Sequence, residues 1–399
     1  MTSGIAPATV KGETGWAGKR ASYMGMRRIS TIEQPVSQRP RIYLDHAATT
    51  PILPAAKAAM TEAMDRWANP SSPHAEGRAA RAALEDARER IKRALGWDGE
   101  LIFTSGATEA IDLAMRRAKL ERRLLSPVEH DAVFRAAPGA ELLTLDCNGE
   151  VDRDQLARVL RGDRALVAIQ HVNSETGQVQ PVEDRARLIW AAGGAILSDA
   201  AQSAGKLPLP KVDLVSISAH KMGGPPGIGA LLVRDAGILE ASGGQERGYR
   251  GGTENLPAAL GFAAAAEYWQ DAPVPDLSDA QFDLLNSIFD RGGREVSSGF
   301  GDERSSGHTW HIMAISMPGL AAATQLIKFD VAGISVSAGS ACSSGSMKPS
   351  RALTAFGVDP DEAARAIRIS FGWNTTAEEI LSFRDTWLRI AAEARSRAA

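Results

Sequence analysis

Cysteine is nearly absent from this chain: Cys147 and Cys342 are the two among 399 residues. Two thiols cannot build a disulfide framework, which points to a reducing compartment, the cytoplasm. Long apolar runs are missing as well. The longest, Leu256 to Trp269, is interrupted by Pro257 and Glu267 and falls short of the ~20 residues that a membrane-spanning helix needs. Neither sign of charge dominates, since the formal net charge is −3. That excludes an electrostatic footprint for nucleic acid or an anionic membrane surface. The His and Cys residues show no ligand spacing, so no bound metal is expected.

What is present is a 44% hydrophobic composition, enough for one large domain and a smaller one. Residues 1–40 stand apart: Met1 to Arg41 carries seven Lys/Arg against two Glu, with much Gly, Ser and Pro and no helical or strand period. They read as a disordered N-terminal extension with later candidate starts at Met24 and Met26. A mitochondrial transit peptide is the other reading, weakened by glycine and proline. From Ile42 to about residue 270, short apolar runs alternate with amphipathic stretches. Strands are predicted at Leu101–Thr104, Leu124–Ser126, Glu141–Leu145, Ala165–Val172, Ala195–Ser198, Val212–Ser218 and Gly229–Val233. Helices are predicted at Ala75–Leu95, Thr108–Lys119, Arg153–Leu160 and Val182–Ala192. This alternation predicts an α/β fold with a mainly parallel sheet sandwiched by helices. Beyond residue 270 a helix, the strands His311–Met317, Ile334–Ser337 and Ala366–Phe371, and a closing helix from Thr376 predict a smaller α+β domain. The expected division is a large domain over 51–268 and a small domain from 41–50 and 269–399.

Several residues in this frame carry chemistry. The run Val212–Ser218 ends in Ala219-His220-Lys221, and a lysine at the mouth of a buried strand must be paired or chemically committed. Upstream, Ile196-Leu197-Ser198 ends in Asp199 in the same manner. A lysine and an acid at adjacent strand ends suit pyridoxal 5'-phosphate (PLP): the lysine forms a Schiff base and the acid pairs with the pyridinium nitrogen. A buried Asp–Lys ion pair is the alternative. Ser105-Gly106-Ala107-Thr108-Glu109 joins a strand to a helix start, where backbone N–H groups and the helix dipole can hold an anion; an ordinary capped helix would look similar. His130, after the strand Leu124–Ser126, could stack on a flat cofactor or trade protons, or be a satisfied polar residue. Arg368, between Ile367 and Ile369, could clamp a carboxylate, or be an edge arginine. Cys342 lies in Gly339-Ser340-Ala341-Cys342-Ser343-Ser344-Gly345, a polar loop of small residues that displays a thiol instead of burying it, as suits a nucleophile that travels. Cys147, in a predicted turn, has no assigned role.

Taken together, the chain resembles the NifS/IscS-type cysteine desulfurases of the class V aminotransferase superfamily from about Ile42 to the C-terminal helix. The motifs, in order, are Tyr43-Leu44-Asp45-His46-Ala47-Ala48-Thr49-Thr50-Pro51, Asn69-Pro70-Ser71-Ser72-Pro73-His74, the Ser105–Glu109 turn, Glu129-His130, Asp199-Ala200-Ala201-Gln202 and Ser218-Ala219-His220-Lys221. They continue through Gly243-Gly244-Gln245-Glu246-Arg247-Gly248, Arg250-Gly251-Gly252-Thr253, Gly339-Ser340-Ala341-Cys342 and Ile367-Arg368-Ile369-Ser370. The longer loop around Cys342 resembles the IscS/NifS branch.

The resemblance implies a fold-type-I homodimer with active sites between subunits, PLP as cofactor and L-cysteine as substrate. By carry-over Lys221 bonds the cofactor, Asp199 pairs its ring nitrogen and His130 stacks on the ring. Ala107, Thr108, Ser218, His220 and the partner's Thr253 hold the phosphate, Gln202 the ring oxygen, and Arg368 the substrate carboxylate. Lys221 takes the α-proton, Cys342 attacks the substrate sulfur, alanine leaves, and a persulfide remains for an acceptor such as an iron–sulfur scaffold, a tRNA thiolation relay or a molybdenum-cofactor pathway. One position departs: the family's cofactor-contacting Asn falls on Ser174. Strand alternation would turn Asn173 to the other face, and a lost hydrogen bond would cost ~0.5–1.5 kcal/mol. The competing expectations are a selenocysteine lyase or another class V enzyme, and a PLP-binding accessory subunit of a sulfur relay.

Overall fold

A computed structural model describes residues 1, 40–65, 68–161, 163–241, 243–272, 274–296, 307–339 and 350–398. The expected N-terminal extension and Cys342 therefore lie outside the described residues. The chain divides into the units Met1–Pro40 and Arg41–Ala399, and the second is the subject here.

Among the described residues twelve strands run in chain order: β1 Ile42–Tyr43, β2 Glu100–Thr104, β3 Arg122–Leu125, β4 Glu141–Leu142, β5 Ala165–Ala168, β6 Ala195–Asp199, β7 Leu214–Ser218, β8 Gly229–Val233, β9 Arg294–Glu295, β10 Ile312–Ser316, β11 Ile334–Ser335 and β12 Ala366–Ser370. Seven form one sheet in the order β2-β8-β7-β6-β5-β3-β4. Within it β8 runs antiparallel to both neighbours and the remaining pairs are parallel. Both faces are buried, and strand alternation sends side chains to two separate cores. Val167, Ile196, Val215 and Ile217 enter one core with the helix Leu256–Asp271. Leu166, Ala168, Leu197 and Leu214 enter the other with the helix Ala107–Arg117.

The expected strands are all present, several of them shorter. The run Ala165–Val172 pairs only as far as Ala168, and Glu141–Leu145 only over Glu141–Leu142. The helix Pro54–Met64, which starts with proline at its first turn where no N–H is required, went unread in the sequence. So did the short helix Asp131–Ala136.

A second sheet, ordered β12-β10-β9, is antiparallel, and β1 pairs with β11 in parallel. Their core gathers Leu44, Leu284, Ile315, Phe329, Ile369, Phe383 and Trp387, drawing on the helices Ser278–Phe289, Ala322–Val331 and Ala377–Ala398. Residue 44 thus packs with residues beyond 277, while the core of the large sheet draws on residues 53–269.

Strand register decides where the chemistry collects. Thr104 pairs with Gly229 and Gly229 with Ser218, so the C-terminal ends of β2 and β7 lie on one edge. The parallel strands β3, β5 and β6 end on that edge too. Loops following the carboxyl ends of such strands form the usual ligand crevice of an open α/β sheet.

Candidate active site

A cleft of about 370 Å³ opens at this edge, lined by Ala107, Thr108, His130, Ser174, Asp199, Gln202, Ser218, His220 and Lys221. Nine residues expected at a cofactor site from five separate chain segments thus face one space.

The lysine comes first because it carries the reactive atom. Lys221 ends the short turn after β7, and its Nζ donates to the carbonyls of Ala47 and of Ala48, the latter at 2.9 Å. Burial brings its amine down from 10.5 to about 8; the Arg368 guanidinium adds to this, while Asp45 and Asp199 oppose it. Asp199 ends β6, and its Oδ1 accepts from the Ser216 hydroxyl and the Ala201 N–H, both at 3.0 Å. These two donors fix the carboxylate plane at the bottom of the cleft.

At the other end of the cleft, the helix Ala107–Arg117 begins directly after Gly106. Glu109 ties the turn together: its carboxylate accepts from the Ser105 N–H and, at 2.8 Å, from Arg250 Nε. A Cβ at Gly229 would lie 2.7 Å from the Gly106 Cα, so glycine is required there for the turn to rest on β8. The N–H groups of the first helical turn, together with the Thr108 and Ser218 hydroxyls, make a donor set suited to a phosphate. His220 lies beside them with Nδ1 3.1 Å from the Thr49 hydroxyl. Burial, then Lys221 and Lys206, depress its imidazole to about 4, so near neutrality it acts as an uncharged partner. His130 caps the helix Asp131–Ala136, its Nδ1 accepting from the Ala132 N–H at 3.2 Å, which leaves Nε2 as the protonated nitrogen of the neutral ring.

Gln202 donates Nε2 to the Ala47 carbonyl at 3.0 Å, while its Oε1 is buried without a partner among the described residues. Arg368, on β12, is buried and not among the residues lining the cleft: one Nη donates to the Ser174 carbonyl at 2.9 Å and the other to Asp45 Oδ1 at 2.8 Å. Thr253 is exposed and is not among the residues lining the cleft. Cys342 lies outside the described residues. The chain on either side of residues 340–349 converges on one carboxyl, however. Ser350 donates its hydroxyl to Glu175 at 2.6 Å, and Gly339 packs against the same carboxyl.

Asn173 stays out of the cleft, for a reason that differs from strand alternation. It lies in a turn, where Oδ1 accepts from the Glu175 and Thr176 N–H groups, both at 2.9 Å, and Nδ2 donates to the Val128 carbonyl. Its amide is consumed in shaping the turn that presents Ser174. Three further participants were not read from the sequence. Asp45 and the Ala47–Ala48 carbonyls stood in a quoted motif without a role. Glu129, buried beside His130, accepts the Gln170 N–H at 2.6 Å on one oxygen while the other has no partner among the described residues. Burial, with a smaller contribution from Asp199, holds its carboxyl well above the usual range.

The comparisons with known proteins agree with this geometry. The family model described as aminotransferase class-V matches residues 42–383. A cysteine desulfurase IscS of Dictyoglomus turgidum is 34% identical over 89% of this chain and 95% of its own. Among solved structures, a NifS-like protein superposes with a TM-score of 0.78 at 29% identity, covering 88% of this chain and 99% of its own. SspA in complex with cysteine does so with 0.70 at 32% identity, covering 83% and 98%. The architecture is that of the fold-type-I enzymes, and the chain belongs to the class-V aminotransferase family, within its NifS/IscS-type cysteine desulfurases.

Proposed function

We propose that the protein is a PLP-dependent cysteine desulfurase that converts L-cysteine to L-alanine and carries the released sulfur as a persulfide on Cys342. The observation that carries this reading is the convergence of Lys221, Asp199 and the Ala107–Thr108 helix start on one cleft. The residues fit the cofactor: an amine, a carboxylate held by two donors, and a phosphate-type donor set. Bound PLP supplies an electron sink for the carbanion that forms when the substrate α-proton is removed.

Each group of the chain then has a task. Thr108, Ser218, His220 and the helix N–H groups hold the phosphate. Asp199 keeps the proton on the ring nitrogen, and His130 lies against the ring. Lys221 bonds the cofactor at rest. Once displaced by substrate, its amine, with an affinity for protons near pH 8, is about one-tenth neutral at pH 7 and can accept the α-proton. The Ala47 and Ala48 carbonyls then hold the resulting ammonium. Arg368 binds the substrate carboxylate. The Cys342 thiolate attacks the substrate sulfur: an S–S bond forms as the Cβ–S bond breaks and the electron pair stays on Cβ; protonation of Cβ, together with return of the α-proton from the Lys221 ammonium to Cα, yields alanine. The exposed position of Thr253, away from its own cleft, supports a homodimer in which it serves the partner's site. We assign the persulfide to an acceptor such as an iron–sulfur scaffold and the enzyme to the cytoplasm. Among the described residues no helix is long and apolar enough to cross a membrane.

The test measures alanine and sulfide from L-cysteine with a thiol reductant, comparing wild type with Cys342→Ala and recording the visible cofactor band of both. Bands in both proteins with turnover lost only in the variant are expected. Equal turnover would remove Cys342 as the nucleophile and favour a lyase. Absence of turnover in both, with cofactor bound, would favour an accessory role.

A further inference from the structure

The segment that carries Cys342 starts from Gly339 and ends at Ser350, and both anchors meet Glu175. Ser350 donates its hydroxyl to Glu175 Oε2 at 2.6 Å. A Cβ at Gly339 would strike the same oxygen, so glycine is what lets the chain pass so close. Ser350 is buried, and its Oγ also accepts the Leu353 N–H at 3.0 Å, which caps the helix Arg351–Ala355. A serine hydroxyl has one proton to give, and here it goes to Glu175. The upstream side is fastened a second time, two residues before Gly339. There the Ser337 N–H donates to the Arg368 carbonyl at 3.1 Å and the Arg368 N–H to the Ser337 carbonyl at 2.6 Å.

Glu175 is fixed from the other direction. Its N–H donates to Asn173 Oδ1 at 2.9 Å, and Asn173 Nδ2 donates to the Val128 carbonyl at 3.2 Å. The neighbouring Ser174 lines the cleft, and its carbonyl accepts from Arg368 at 2.9 Å. The carboxyl that gathers the two anchors is therefore built onto the cleft wall. Cys342 stands three residues beyond Gly339. An extended chain spans at most ~3.6 Å per residue, so that tether is at most about 11 Å long. With so short a tether, the reach of the thiol depends on where Gly339 is held.

We propose that Glu175 is a positioning residue for sulfur transfer: it ties Gly339 and Ser350 to the cleft wall and so sets the point from which Cys342 reaches the substrate sulfur. This deepens the reading of Cys342 as the nucleophile and rests on it. Glu175 acts through the tether, since it is not among the residues lining the cleft.

The experiment uses the PLP-loaded protein and two readouts. Single-turnover alanine formation from L-cysteine reports sulfur transfer, and the L-alanine dissociation constant, read from the visible cofactor band, reports the cleft. In Glu175→Ala alanine formation is expected to slow about ten- to hundredfold, as for a reacting group misplaced by ~1 Å, with the L-alanine constant unchanged. Glu175→Gln keeps an oxygen that can accept from Ser350 and is expected to restore the rate to within about threefold of wild type. An unchanged rate in Glu175→Ala overturns the proposal. So does a matching loss of L-alanine affinity, because Glu175 would then shape the cleft itself. Equal slowing in both variants overturns it too, since the charge and not the tie would matter. Cys342→Ala separates the two readings: if it turns over like wild type, the nucleophile reading falls and this proposal with it. If turnover is lost there while Glu175→Ala is unaffected, only the role of Glu175 falls. Should Glu175→Ala fail to fold, Gly339→Ala takes its place, since its methyl pushes the anchor off the carboxyl. At least a threefold slowing with unchanged L-alanine binding is expected there, and no slowing overturns the proposal.

Discussion

Replacing Lys206 by methionine isolates the energetic load of a buried cation behind the active site. Lys206 is 5% exposed and its Nζ has no partner among the described residues. Burial first, and the Lys221 charge second, bring its amine from 10.5 down to about 7. His46, His220 and His311 feel its charge in turn, and burial lowers all three imidazoles, so no counter-charge is on hand. The sign follows from proton linkage. Between pH 7 and 10.5 the unfolded chain binds a proton at Lys206 that the folded chain releases, so wild-type stability rises with pH across that window. The full fall in proton affinity corresponds to about 5 kcal/mol, of which about 2 kcal/mol lies between pH 7 and 9. Methionine keeps the volume and removes the amine. Urea midpoints of both proteins at pH 7 and pH 9, compared at constant slope, should show the variant more stable at pH 7. The gap should narrow by about 2 kcal/mol at pH 9. Contributions from groups that do not feel the Lys206 charge are common to both proteins and cancel. An equal pH dependence in the two would refute the reasoning, since Lys206 would then be solvated or paired.

Two further expectations concern the elements that frame the cleft. Glu246 and Arg88 form a buried ion pair at 2.8 Å, with Glu246 also accepting the Phe103 N–H at 2.8 Å; Glu246→Gln leaves Arg88 with Glu85 as its carboxylate partner and should lower stability by about 1–3 kcal/mol, read as a fall in the urea midpoint. Ser174→Asn puts an amide where a hydroxyl now lines the cleft, and should slow cofactor release by about two- to tenfold in proportion to ~0.5–1.5 kcal/mol; an unchanged release rate would make the departure at this position immaterial.

Much of this architecture was legible along the chain. The β-branched runs leading to Asp199 and Lys221 form β6 and β7, and the Ser-Gly turn before Thr108 starts a helix, because both strand and helix periods are local properties. At Asn173 strand alternation is not what matters, since a hydrogen-bonded turn consumes its amide. The antiparallel course of β8 was not legible. Its uniformly buried residues read the same in either direction.

By itself, then, the sequence determined the elements and the kinds of chemistry at their ends. Tertiary structure decided which ends meet. Asp45 and Arg368 stand 323 residues apart, and no local period connects them. They touch because the N-terminal segment packs beside β12, and its bridge from Asp45 to Ser370 aligns the carboxylate with the guanidinium. The carbonyl pair under Lys221 and the Lys206 amine, without a partner among the described residues, arise in the same way. Each is defined by which hydrogen bonds remain unmade after distant segments have packed, and that is settled only when the chain has folded.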